Sequence, residues 1–457
     1  MKTLRIGIVL LALLLAGMAM VPCVSAAENV AIGVQKDSSA PTNTFISKDD
    51  IITNYIPIEK AREYAIDAFT ECIFIKTLGD SVDWSEANLN PDPIVIYDLN
   101  GEQLFYQFWV EKDGIRIGKI RIAASKVLGS PIKLIGTASP EEFDQRNLDA
   151  KVNKILAADF KGYEIASVKT VCYDNPSIGL LAELHNSQTH DVKRIIVDAG
   201  FNDYLTVPQN ERQLSESAVM GSYYNSIPRS QIQQNIAIWE KENARIQKIL
   251  DQANSLGITE KTSSQHIQVD NARTQKTDDV LKSVILSGLR FPAGVKILSP
   301  FSSTFQGYRD WCAVGAAWAI TDYYRMQGQI QSSRSLDQIA TKMNVYGTTH
   351  GPTSDDEYHY YIDSWNQGGL GMSWGRQQRD PYFYEIMNSI NANNPMKTVT
   401  ASGHVNPNLP NGHARAAYGY DDRYTTKRVY YSDSMNPPVG DMYVEDYQPS
   451  LSFIYRY

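Results

Sequence analysis

One stretch of the sequence contains a cysteine in a position that suits catalysis. The segment FQGYRDWCAVGAAWAITDYYR, residues 305–325, places Cys312 between a polar loop and a run of small apolar residues with helical spacing. A thiol attacks carbon only as a thiolate, and the unpaired amides at the start of a helix favour an anion. The position therefore indicates a nucleophilic cysteine, with a buried core cysteine as the competing interpretation.

A thiolate nucleophile needs a histidine that pairs with it and later protonates the leaving group. His413 follows Asn411-Gly412 and opens the alternating run HARAAYGYDD, so it lies at the start of a predicted strand. His404 lies among Gly, Asn and Pro residues in a predicted loop and is the second candidate. We expect His413 to be the base.

Two further side chains would complete such a site. The predicted strand RVYYSD ends at Asp433, which a neighbouring antiparallel strand would bring beside His413 to orient the imidazole. Asn436 is the alternative for this role. Gln306 lies six positions before Cys312, and its side-chain amide, with the backbone amide of the cysteine, would bind a developing oxyanion.

These motifs together resemble the papain-like cysteine peptidases, and more narrowly the group related to the double-glycine, bacteriocin-leader-processing peptidases. The resemblance covers residues 298–457. It rests on Gln306, on the small-residue helix that begins at Cys312, and on the late GHARAAYGYDD strand with an aspartate on the following strand. Ala313-Val314 stands where these peptidases commonly have Gly-Pro.

The resemblance implies a Cys–His–Asp triad of Cys312, His413 and Asp433, with Gln306 as oxyanion donor, in an enzyme that hydrolyses peptide bonds. The partner would be a peptide or protein substrate. No compact metal-ligand pattern such as HExxH occurs, so no metal or cofactor is predicted. Two alternatives stay open: a transglutaminase-like acyl transferase, since amines and water attack the same thioester, and a non-catalytic exported protein that binds the cell envelope.

The predicted elements form two α+β parts joined by a polar segment. Residues 55–205 combine a helix in IPIEKAREYAIDAFTECIF with antiparallel strands such as EQLFYQFWVEK and IRIGKIRIAAS, which a Lys112-Asp113-Gly114 turn connects. Residues 206–297 are polar and contain one amphipathic helix, at about 231–256. Residues 298–457 begin with the Cys312 helix and end in antiparallel strands, a papain-like α+β arrangement.

The order of these parts predicts a zymogen. The smaller domain at residues 55–205 loosely resembles the propeptides of secreted papain-like zymogens. We expect it to act as an intramolecular partner that covers the cleft. Exposed polar linkers are preferred sites of proteolysis, so cleavage between about 258 and 297 would release the active form.

The N-terminus predicts export. Residues 1–27 combine Lys2 and Arg5, a short apolar run and the small-residue exit VSAA, as in a secretory signal peptide, and a polar segment follows at residues 28–54. We expect an extracellular or cell-envelope protein without a membrane span in its mature form. The net charge of −8 argues against a nucleic-acid partner.

The cysteine count supports a reactive thiol. Cys23 would leave with the signal peptide, so three thiols remain: Cys72, Cys172 and Cys312. An odd number in an exported protein indicates an intermolecular bridge or a free reactive group. Cys72 and Cys172 lie in the same predicted domain, either paired or buried as thiols.

Overall fold

The computed structural model describes the chain from residue 46 onward, with gaps. The described residues are 46–78, 82–138, 143–174, 177–199, 204–207, 222–255, 260–262, 267–269, 283, 294–307, 309–347, 351–400, 412–435, 440–447 and 450–456. The predicted signal peptide at residues 1–27 and most of the cleavable stretch at 258–297 lie outside these ranges.

Eight α-helices occur within the described ranges. They are α1 Lys48–Thr53, α2 Ile58–Ile75, α3 Gln145–Asp159, α4 Ile232–Ser255, α5 Cys312–Met326, α6 Leu336–Lys342, α7 Ser354–Ile362 and α8 Phe383–Asn391. No helix of the described chain has the length and apolarity that a membrane crossing requires.

Eighteen strands in the same part of the chain form one hydrogen-bonded network. They are β1 Asn88–Leu89, β2 Ile94–Tyr97, β3 Gln103–Lys112, β4 Ile115–Ala123, β5 Ile132–Thr137, β6 Tyr163–Asp174, β7 Ser177–Asn186, β8 Val192–Val197, β9 Tyr204–Thr206, β10 Glu260–Thr262, β11 Ile267–Val269, β12 Val295–Ile297, β13 Trp374–Gln377, β14 Met396–Thr400, β15 His413–Asp421, β16 Arg428–Asp433, β17 Asp441–Asp446 and β18 Ser450–Arg456. Among the pairings in this network, β2 with β6 is parallel and the others are antiparallel.

The main path through this network runs from the N-terminal strands to the C-terminal ones. Its order is β9-β8-β7-β6-β2-β3-β4-β5-β17-β16-β15-β14-β18-β13. The edges of β3 and β15 carry the short additions β1-β11-β10 and β12. The structure is therefore α+β with a mostly antiparallel sheet, as the sequence predicts.

Local sequence explains the N-terminal hairpins and helices. Asp113 and Gly114 adopt positive φ angles of 53° and 76°, the conformation of a two-residue turn between β3 and β4. The helix predicted in the polar segment is α4, and it packs against α2. The ring of Trp239 meets Tyr64 edge-on at 5.2 Å, and the Tyr64 hydroxyl donates to Asn243 Oδ1 at 2.7 Å.

The regions predicted as separate domains share one sheet. Strand β5 pairs with β17, with Gly136 opposite Tyr443. On the same side, Lys119 Nζ of β4 forms an ion pair of 2.6 Å with Asp441, and both side chains are at most 3% exposed. A second ion pair, Lys133–Asp446 at 3.0 Å, crosses the same boundary. Buried ion pairs thus join the two regions.

One of the C-terminal helices packs on two strands of this sheet. Helix α5 packs on β15 and β16, and its face of small residues, including Ala316 and Ala317, is buried. The same end of the sheet contains the first residue of β15 and the last residue of β16. Cys72, in helix α2, is a buried thiol that forms no disulfide, so Cys72 and Cys172 are not paired in the structure.

Candidate active site

Two of the predicted site residues form a buried pair at the end of the sheet. His413 is the first residue of β15, and Asp433 is the last residue of β16. Adjacent antiparallel strands bring these ends together, and His413 Nε2 lies 2.8 Å from Asp433 Oδ2. The two side chains are 2% and 4% exposed. Water therefore does little to screen the charges of this pair.

The His413 and Asp433 side chains interact strongly, and each shifts the pKa of the other. Burial alone lowers the pKa of His413, but the Asp433 carboxylate outweighs it and, with a contribution from Cys312, raises that pKa to about 10. Burial likewise opposes ionisation of Asp433, yet His413 and then Arg415 lower the pKa of this carboxyl to about 2. Asp433 is ionised and His413 protonated at neutral pH.

Cys312 lies at the start of helix α5, as the sequence predicts. The preceding residue, Trp311, makes no side-chain cap to the helix. Cys312 is 7% exposed and packs with Val399 of β14 and Ala414 of β15. The neighbour of Ala414 is His413, which brings the thiol and the imidazole into one site.

The orientation of the imidazole leaves one nitrogen for the thiol. Nε2 of His413 is held by Asp433, and Nδ1 has no nitrogen or oxygen partner among the described residues. Cys312 is among the groups that raise the pKa of His413. Nδ1 is therefore the nitrogen available to exchange a proton with the sulfur or with a leaving group.

A glycine lets the nucleophile's helix approach the end of β16. A Cβ atom added at Gly315, in the first turn of α5, would lie 2.1 Å from the hydroxyl oxygen of Ser434 and 2.3 Å from its Cβ. No side chain fits in that space. The contact fixes the distance between the helix that carries Cys312 and the strand that carries Asp433.

Ser434 also holds the predicted oxyanion donor. Its hydroxyl donates to Gln306 Oε1 at 2.6 Å, and its carbonyl accepts from the Gln306 backbone amide at 2.9 Å. Nε2 of Gln306 donates to the carbonyl of Arg309. Because an amide nitrogen carries two hydrogens, one N–H remains after this bond. Gln306 is 4% exposed, and hydrogen bonds fix both the oxygen and the nitrogen of its side-chain amide.

The remaining candidates from the sequence are the alternative residues His404 and Asn436. His404 and Asn436 lie outside the described residues, so the structure provides no comparison of them with His413 and Asp433. Within the described ranges, no three His, Cys, Asp or Glu side chains are grouped so that they could hold a metal ion.

Sequence reasoning missed three residues that contact this site. Ser434 supports Gln306, the hydroxyl of Tyr443 donates to Asp433 Oδ2 at 3.0 Å, and Arg415 Nη1 donates to the Tyr443 hydroxyl at 2.7 Å. The available signal was an arginine inside the otherwise apolar run HARAAYGY, since a buried arginine requires partners.

No curated protein matches the chain. Residues 295–452, about a third of the chain, match the model of the Peptidase_C39 like family. The match covers Gln306, Cys312, His413 and Asp433, and it confirms the resemblance drawn from the motifs. Residues 295–452 are therefore similar to the C39-like family of papain-like cysteine peptidases, and the protein is a cysteine peptidase that hydrolyses peptide bonds.

Proposed function

We propose that the peptidase uses Cys312 as nucleophile, His413 as acid and base, Asp433 to orient the imidazole, and Gln306 to bind the oxyanion. The observation that carries this proposal is the buried His413–Asp433 pair beside the cysteine that begins helix α5. A protonated imidazole held by a carboxylate stabilises a neighbouring thiolate.

The proposed reaction has two stages. The Cys312 sulfur attacks the peptide carbonyl carbon, and the developing oxyanion accepts hydrogen bonds from Gln306 Nε2 and from the Cys312 backbone amide. His413 gives its Nδ1 proton to the leaving amine, which departs and leaves a thioester. His413 then accepts a proton from water as the water attacks the thioester, and the acid product leaves.

The roles of the two regions follow from buried contacts. We propose that residues 55–205 act as an intramolecular partner of residues 298–457. The support is the β5–β17 pairing and the buried Lys119–Asp441 ion pair. These contacts hold the N-terminal region on the peptidase region in the uncut chain.

Export and processing complete the proposal. The protein is directed out of the cytoplasm by residues 1–27 to the extracellular space or the cell envelope. It is made as a zymogen and cut between about 258 and 297. The support is the signal-like composition of the first segment and the polar composition of the second.

The decisive test replaces Cys312 with alanine in the full chain. We expect Cys312→Ala to lower peptide hydrolysis at least about 1,000-fold and to abolish labelling by iodoacetamide at neutral pH. The matched control is Cys72→Ala. Burial and the nearby Glu71 raise the pKa of the Cys72 thiol well above its ordinary value, so this thiol stays protonated and unreactive.

The readouts are hydrolysis of a peptide library and the position of the iodoacetamide adduct, both by mass spectrometry. Cys72→Ala should keep both activities. Hydrolysis that survives in Cys312→Ala would refute the assignment of the nucleophile. Adding an amine to the wild-type assay distinguishes hydrolysis from acyl transfer, because a transferase would form the amide of that amine.

A further inference from the structure

Five buried side chains on strands β15, β16 and β17 form a chain of hydrogen bonds that ends at the proposed base. Arg415 Nη1 contacts Glu445 Oε1 at 2.5 Å and donates to the Tyr443 hydroxyl at 2.7 Å. The Tyr443 hydroxyl lies 3.0 Å from Asp433 Oδ2, which lies 2.8 Å from His413 Nε2. Each of these side chains is at most 4% exposed.

The chemistry of the donors gives this chain one direction. An arginine has no acceptor atom, so Arg415 must donate to the Tyr443 oxygen. The tyrosine hydrogen is then directed to Asp433, whose ionised carboxylate can only accept. The same carboxylate oxygen also accepts a hydrogen bond from His413 Nε2. The other ring nitrogen, Nδ1, is left to exchange a proton with the Cys312 sulfur.

The protonation states support this direction. Burial raises the pKa of the Tyr443 hydroxyl well above 10, so it keeps its hydrogen at neutral pH. Burial lowers the pKa of Arg415, but Tyr443 and Glu445 outweigh this, so the guanidinium stays charged. Asp433 is further held by the Met435 backbone amide, which donates to Oδ1 at 3.1 Å.

The N-terminal region holds Tyr443 from the other side. Gly136 of β5 lies opposite Tyr443, and a Cβ atom added at Gly136 would lie 2.6 Å from the Tyr443 Cβ. The tyrosine is thus confined between strand β5 and its own hydrogen bonds. Its hydroxyl hydrogen-bonds to both Arg415 and Asp433.

We propose that Tyr443, held by Arg415, is a positioning residue for peptide hydrolysis. It orients the Asp433 carboxylate and, through it, the ring and the tautomer of His413. The proposal rests on the assignment of Cys312, His413 and Asp433 to the reaction.

The test is Tyr443→Phe in the full chain, with Tyr431→Phe as matched control. Tyr431 lies opposite Tyr443 in β16, is buried, and its hydroxyl has no hydrogen-bond partner among the described residues. Both changes remove one buried hydroxyl and keep the ring. Folded protein is first isolated by gel filtration and then counted by stoichiometric labelling of Cys312, so that misfolded protein does not enter the rate.

We expect Tyr443→Phe to lower kcat per labelled site about 10- to 100-fold, the effect of losing a hydrogen bond to a charged group. KM should change less than about twofold. Without the tyrosine donor the carboxylate attracts the imidazolium more strongly, so the alkaline limb of kcat/KM should move up by about 0.5 pH unit. Tyr431→Phe should match the wild type in all three quantities.

Two results overturn the proposal. One is a Tyr443→Phe enzyme whose kcat per labelled site and alkaline limb both match those of Tyr431→Phe, even if less of it folds. The other is an alkaline limb that moves to lower pH. A wild type that labels at Cys312 but hydrolyses no peptide would instead refute the proposed function. The pH profile of labelling would then test the hydrogen-bond chain separately.

Discussion

Two of the buried ionic networks in the described part of the chain contain carboxylates that behave in opposite ways. In the network at the proposed site, Asp433 has a pKa lowered to about 2. In the other, between helices α2 and α4, burial together with Glu71 and Glu242 raises the pKa of Asp67 to about 7, despite Arg245. Both side chains are at most 4% exposed, so the degree of burial does not explain the difference.

The number of donors explains it. Asp67, Glu71 and Glu242 share the cation of Arg245, at 3.2, 2.5 and 2.9 Å, and one oxygen of Asp67 has no hydrogen-bond partner among the described residues. Asp433 instead accepts hydrogen bonds from His413, Tyr443 and Met435. A buried carboxylate that is surrounded by donors can hold an imidazolium, whereas one that shares a cation with two other acids takes up a proton.

The largest expected effect is a difference in activity between two variants, in which either Asp433 or Asp67 is replaced by asparagine. Asp433→Asn should lower kcat about 1,000-fold, because an amide cannot stabilise the His413 imidazolium and favours the wrong tautomer. Asp67→Asn should leave kcat per labelled site within about twofold. Peptide hydrolysis normalised to iodoacetamide labelling measures both. Equal losses in the two variants would contradict the distinction between the networks.

The next largest effect is a loss of stability when the network between helices α2 and α4 is disrupted. Arg245→Met leaves three buried carboxylates without their shared cation, so the free energy of unfolding should fall by about 3–5 kcal/mol. Urea unfolding followed by circular dichroism measures this loss. The control is Arg146→Met, because the Arg146 side chain is 93% exposed and its removal should cost less than about 0.5 kcal/mol. A loss below about 1 kcal/mol in Arg245→Met would mean that the network contributes little.

The smallest effect is a pH dependence that has opposite signs in the two networks. An unfolded aspartate titrates near ~3.9. Between about pH 4 and pH 7 folded Asp67 holds a proton that the unfolded chain has released, so its contribution to stability falls as pH rises. The contribution of Asp433 is complete above about pH 4 and is lost as pH falls toward about 2.

Asp67→Asn isolates this dependence. From pH 5 to pH 7, the free energy of unfolding of the wild type should fall by about 1–2 kcal/mol relative to that of Asp67→Asn. Urea unfolding of both proteins at each pH provides the measurement. A difference that stays constant, or grows in favour of the wild type, would show that Asp67 is already ionised at pH 5.

Much of the C-terminal architecture follows from local patterns in the sequence. The alternation in HARAAYGYDD and RVYYSD predicts two strands, and they are β15 and β16. The turn between them makes the strands antiparallel neighbours. For this reason the meeting of His413 and Asp433 could be predicted without coordinates, as could the helix that begins at Cys312.

The remaining features depend on contacts between distant parts of the chain. The pairing of Gly136 with Tyr443 joins strands that are separated by about three hundred residues, and no local pattern encodes it. The short strands β10, β11 and β12 lie in a stretch whose polar composition predicts no strands. Their pairing with neighbouring strands stabilises them, rather than the strand propensity of their own residues. Arg415 could be recognised as unusual, but its partners come from β17.

The pairing between β5 and β17 has a practical consequence for anyone who would produce the peptidase part alone. A recombinant protein limited to residues 295–457 would present the backbone of β17 as an open edge that can pair with the edge of another copy. It would also leave Asp441 without its lysine. Expression of the short form is therefore expected to yield aggregates, and supplying residues 43–207 as a separate polypeptide is the rational way to rescue its solubility.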